Sequence, residues 1–197
     1  IADAYEAMRH DPYHPDVVRS MASLKGQLEE QYEHALRHGY RFTPWTHEGQ
    51  PYANSNEMMD DVLGNRHLHF FKTDSGFGSS EFDASDNPLL TESPFVVGGH
   101  RLLHNDVLRA VHDLYGHAAH GHQFGPIGED RAWHAHLQMF HPDALPSLTT
   151  ETRGQNSWVN FGPHLRRPDG SLPAKGDPDF LHPSVRPFAD QKTGILP

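Results

Sequence analysis

Val17, Val18, Met21, Leu24, Leu28, Tyr32 and Leu36 recur at three- and four-residue spacing along one stretch of the chain. A strand turns alternate residues inward and cannot collect such a set on one side, whereas an α-helix can. Pro15 stands where a helix tolerates proline, and Gly39 stands where helices commonly stop. A helix this long must bury its apolar stripe, so the rest of the fold has to supply a surface for it. Other segments read the same way. Ile1, Tyr5 and Met8 share one helical side. Asn54 and Glu57 have capping-box spacing and open a short helix with Met58, Met59, Val62 and Leu63, ending at Gly64-Asn65. Asn105 reads as the cap of a helix carrying Val107, Leu108, Val111, Leu114, Tyr115 and Ala118. A further helix is predicted from Glu129 to Phe140, stopped by Pro142, with Ala132, Trp133, His136, Leu137 and Phe140 on its inner side. The last begins near Pro146.

Strand signals are few. Tyr40 to Trp45 reads as extended, His67 to Phe71 alternates, and Phe95 to Val97 is too short to classify. The expectation is therefore a mainly α, single compact domain over residues 1–197, with minor strands, long irregular loops and a metal-site core at 105–161. Thr73 to Pro94 has the length of a lid or binding loop, anchored by Phe77, Phe82, Leu89 and Leu90. Residues 162–197 form an extended tail that wraps the domain through Phe180, Val185, Phe188, Ile195 and Leu196. The chain opens at Ile1 inside a helical pattern, as an excised domain or a processed product would.

Composition narrows the function. A formal charge of −10 argues against nucleic acid and anionic membranes as partners. No apolar run is long enough for a membrane span. The absence of cysteine excludes disulfides, thiolate metal sites and cysteine nucleophiles, and points to a cytoplasmic setting. Any metal must be held by nitrogen and oxygen. Eighteen histidines raise the expectation of such a site without locating it.

His112-Asp113-Leu114-Tyr115-Gly116-His117 offers two histidines and a carboxylate on one predicted helix. Residues five apart on a regular helix diverge by about 140°, so a shared ion requires a bend or a helix end near Gly116. Beyond Pro146, the side that carries Leu148, Trp158 and Val159 also carries Glu151 and Gln155. A carboxylate on a buried side must be hydrogen-bonded, ion-paired or metal-bound, which makes Glu151 the expected third ligand. Glu129 faces inward on its own helix and is the rival carboxylate; a first-turn acid favoured by the helix dipole is its plainer explanation. His120, His122 and His136 are further rivals. Asp113 or Asp130 would fix the second nitrogen of a ligating histidine. Gln155 and Asn156 would orient substrate or water, Arg153 or Arg109 would pair a substrate carboxylate, and Trp158 and Phe161 would wall the pocket, with Trp133 read as core.

The six-residue element resembles the His-Glu-Leu-Leu-Gly-His element of the aromatic amino acid hydroxylases. That family holds iron with two histidines at this separation and a glutamate on a later helix, in a Thr-Val-Glu-Phe-Gly context. Thr149-Thr150-Glu151-Thr152-Arg153-Gly154 lies at a comparable distance here. The resemblance covers Asn105 to Phe161 and implies iron ligation by His112, His117 and Glu151, with Asp113 in place of the family's second-shell glutamate. This chain is shorter than the family's catalytic domain, has Ala118-Ala119-His120 where the family has a proline, and shows no pterin-binding segment. Two histidines and a carboxylate leave open positions on Fe(II), which suits oxygen activation. The expected activity is that of an Fe(II), O2-dependent hydroxylase of an aromatic or other small organic substrate, with a pterin or another reductant. The alternatives are a zinc hydrolase built on histidines, although His-Glu-x-x-His is absent, and a non-catalytic module of a larger polypeptide whose polar core only specifies the fold.

Overall fold

The computed structural model describes residues 1–73 and 83–197, so Phe77 and Phe82 lie outside the described residues. After a short α1 (Ala2–Ala7), the long stripe forms α2 (Pro15–Arg37). Val17, Met21, Leu24, Leu28, Tyr32 and Ala35 are buried along it. Val18 and Leu36 were expected in the stripe and are instead half exposed. The inner positions are filled at 17, 21, 24, 28, 32 and 35, which puts residues 18 and 36 on the flank. Ile1 is likewise exposed, whereas Tyr5 and Met8 are buried.

β1 (Arg41–Trp45) and β2 (His67–Phe71) pair in parallel, with α3 (Ser55–Asn65) as the crossover that a parallel pair needs. Asn54 caps α3 as its sequence predicts. Its Oδ1 accepts from the backbone N–H groups of Asn56 and Glu57, and Glu57 accepts from Ala53 N–H. The unclassified Phe95–Val97 belongs to β3 (Glu92–Val97), antiparallel to β4 (His100–Leu103). Gly98 and Gly99 join them at φ +57° and +81°, a two-residue turn that needs glycine. Tyr32 stacks on Phe42 and meets Phe95 at a tilt, and so ties both strand pairs to α2.

α4 (His104–Val111) begins one residue before the expected cap. Asn105 is buried and donates to Thr73 Oγ1, while Asp106 takes the Leu103 N–H and both donors of Thr73. Its face, Val107, Ala110 and Val111, packs on α2. A π-helical turn follows at His112–His117, then a 3₁₀ turn at Ala118–His120. α5 spans Pro126–Leu137, three residues earlier at each end than expected, because Gly125 and Pro126 start it and the chain leaves helical geometry before Pro142. The last helical run is not continuous: α6 (Leu145–Thr149) and α7 (Gln155–Phe161) flank a second π turn at Thr150–Gly154. The architecture is mainly α. The tail packs back over α1 through Tyr5 OH to the Asp190 carbonyl and Asp11 N–H to the Thr193 carbonyl. No helix among the described residues is long and apolar enough to cross a membrane.

Candidate metal centre

The obstacle at His112 and His117 is removed by the backbone. In a π turn each N–H bonds five residues back, so one extra residue is absorbed and residues five apart stack nearly as residues four apart do in an α-helix. The two rings meet edge to face with centroids 4.8 Å apart, and their Nε2 atoms lie 3.0 Å apart. Gly116 makes this possible. A Cβ there would meet His136 Nε2 at 2.9 Å and Ala132 Cβ at 3.1 Å, so the π turn and α5 touch through a position with no side chain. Gly116→Ala is accordingly expected to destabilise the fold by about 1–3 kcal/mol and to weaken metal binding, read by urea denaturation and metal titration. Unchanged affinity would show that the His112–His136 contact is dispensable.

Both histidines have their second nitrogen fixed. His117 Nδ1 is 3.0 Å from the His122 carbonyl oxygen, which can only accept, so His117 donates from Nδ1. His122 is held in turn by its own N–H to His117 O and its Nδ1 to Gly116 O. His112 Nδ1 is 3.1 Å from His136 Nε2. The predicted partners for these nitrogens were Asp113 and Asp130, and neither serves. Asp130 pairs with Arg153 at 2.7 Å. Asp113 follows His112 on the turn, and it, His112 and His117 each bring a ligand atom within 4.8 Å of the others, a group that could hold a metal ion.

The carboxylate that meets both Nε2 atoms belongs to Glu129. Its Oε2 is 3.1 Å from His112 and 3.5 Å from His117. Glu129 rides on α5 with Ala132 and His136 below it on the same side, and both of those are fully buried. Gly128 lets the helix start there, since a Cβ would lie on the Gln123 carbonyl. Glu129 is thus not merely a first-turn acid. Burial alone would raise it, but the two histidines outweigh burial and hold its carboxyl well below the usual range. Burial would lower His117, and Glu129 reverses this and raises it. His136, buried and beside two other histidines, is pushed well below its ordinary value and is neutral.

Glu151, the expected ligand, is placed differently. It is buried on the second π turn, where Oε2 accepts from Gln155 Nε2 at 2.6 Å and Oε1 has no hydrogen-bond partner. Burial pushes it up to about 8. Its side chain is hydrogen-bonded to Gln155, while Glu129 lies against the histidines. Trp158 turns away from the centre: its indole N–H donates to Glu6, its ring lies on His164, and it packs against Tyr5 and Met8. Arg153 covers Trp133 at 4.0 Å and pairs with Asp130, on the opposite side of Glu129. Phe161 lies on that side too.

Two cavities adjoin the centre. The larger, about 480 Å³, is walled by Tyr52, His69, Phe71, Phe124 and Phe188 around Arg109 and Asp113. The smaller, about 240 Å³, reaches His112, Asp113 and Glu129 and includes Glu151, Gln155, Asn156 and Gln191. They share Arg109, Asp113 and Phe188. Arg109 donates to the Phe71 carbonyl, and burial lowers it. The aromatic wall escaped the sequence reading because its members come from a loop, a strand and the tail, which share no period. The roles of His136 and the His122 carbonyl could be sought only once the π turn was known. No protein-family model, curated protein or solved structure matches this chain.

Proposed function

We propose that His112, His117 and Glu129 hold one Fe(II) and that the protein is an O2-dependent hydroxylase of a small aromatic substrate. The observation that carries this reading is the convergence of two imidazole nitrogens and a carboxylate oxygen, with edges of 3.0, 3.1 and 3.5 Å, whose histidines are turned by their other nitrogens. Ligands about 2.1 Å from a common ion on neighbouring octahedral positions lie about 3.0 Å apart, so the donor set fits. His117 donates from Nδ1, so in its neutral form it offers the Nε2 lone pair toward Glu129, and a His112 that donates from Nδ1 to His136 would offer its Nε2 in the same way. Bound there, Fe(II) would supply oxygen activation at its remaining positions.

The chain's residues supply the rest. Glu129 brings the neutralising charge from a second helix, and His136 and the His122 carbonyl fix the rings. Tyr52, Phe71, Phe124 and Phe188 offer apolar faces for a ring beside the centre, and Arg109 offers a cation for an acidic substituent. A competing reading, a buried histidine–glutamate ion pair that only locks the core, draws on the mutual shifts of His117 and Glu129. Protein produced with iron is expected to carry about one Fe(II) per chain, to lose thermal stability in chelator and to consume O2 when given a reductant and an aromatic acid. A metal-free protein whose melting temperature ignores chelator would establish the ion pair instead.

A further inference from the structure

The smaller cavity contains a carboxyl group outside the proposed ligand set. Glu151 is 6% exposed, and its Oε1 is left without a hydrogen-bond partner. The neighbouring amides are committed elsewhere. Gln155 donates to Glu151 Oε2, and Gln155 and Gln191 donate to one another's oxygens at 3.3 and 3.4 Å. Gln191 also donates to the Ala189 carbonyl. A buried oxygen in this state carries an unmet desolvation penalty, and on a cavity wall a ligand can meet it. Leu108, Val159, Ala189 and Phe188 supply the apolar part of a wall that also carries Arg109, Asp113 and Glu129, charges of both signs. The volume, about 240 Å³, lies below the range of drug-sized pockets. Burial also disfavours the ionised carboxyl, which counts against an ammonium ion as the partner.

We infer that this compartment binds a small, uncharged, hydroxyl-bearing molecule beside the metal, with Glu151 as its hydrogen-bond partner. A hydroxyl both donates and accepts, so it satisfies Oε1 in either state of the carboxyl. Only the position beside a metal rests on the proposed function; the recognition chemistry stands on Glu151 and the cavity wall.

The test uses ¹⁵N-labelled protein and alcohols of about five to seven carbons, with the amines and carboxylates of the same skeletons as contrasts. Alcohols are expected to shift the Gln155 side-chain amide signal and to bind about tenfold more tightly than the amines or carboxylates. Glu151→Leu should lose that preference while keeping the wild-type metal content, and Glu151→Gln, which retains a hydrogen-bonding oxygen, should keep much of it. Preferred binding of amines or carboxylates, silence of Gln155 toward every alcohol, or undiminished alcohol binding by Glu151→Leu would overturn the inference. A wild-type protein that takes up no metal yet shows the alcohol-dependent Gln155 shift supports the inference and removes the oxygenase reading.

Discussion

Glu129→Ala is expected to weaken metal binding by more than about a hundredfold, while Glu151→Ala keeps near-normal occupancy. Partners that only orient a ligand are worth roughly 10–100-fold, and Glu129 is proposed as a ligand itself, so its loss should exceed that range. Removing it leaves two neutral nitrogens and takes away the carboxylate that Oε2 brings within 3.1 Å of His112. The measurement is Fe(II) competition against a chelator of known affinity, with circular dichroism to verify folding. The opposite pattern, retention in Glu129→Ala and loss in Glu151→Ala, would return the third position to Glu151 and make its present rotamer a metal-free state.

The second large effect is a pH dependence in chelator-treated protein. Glu151 has an ordinary value of 4.5 and is raised by burial to about 8 in the fold. Between those values the folded chain binds more protons than the unfolded one, so stability falls as pH rises. The full shift corresponds to a loss of about 5 kcal/mol, complete only above pH 8. Glu151→Gln should remove this slope and be the more stable protein at pH 8. His117 acts in the same direction: raised by Glu129 against the effect of burial, it stabilises at low pH and loses that contribution as pH climbs through its folded value. Glu129 is depressed by its histidines, so its contribution is present at neutral pH and lost on acidification below the ordinary carboxylate range. The difference between wild type and Glu151→Gln in urea melts at pH 5 and pH 8 isolates the Glu151 part. Parallel curves would mean that the carboxyl finds a partner in solution.

The helices were legible because their stripes repeat. α2 needs only its own spacing to be found, and α3 is announced by Asn54 and Glu57. Boundaries were less legible where a neighbour decides them: Asp106 rather than Asn105 starts α4, and Gly125-Pro126 starts α5 before its apolar residues begin. Of the site, His112 and His117 could be named from their pattern, and the need for irregular backbone near Gly116 could be stated. The nature of that irregularity could not, because a π turn has no composition of its own and depends on how closely α5 approaches. Glu129 and Glu151 were both visible as inward acids. The placement of α5 against the π turn, which brings Glu129 to the histidine nitrogens, is encoded in no local periodicity.

Hydrogen-bond register is itself a variable of this site. Within His112–His117 a change from five-residue to four-residue bonding would swing the two imidazoles about 140° apart with no change of residue. The turn that carries Glu151, Thr150–Gly154, has the same freedom on the other wall of the small cavity. Single-residue slips in these two short backbone segments would therefore alter both the proposed ion site and the shape of the adjoining compartment.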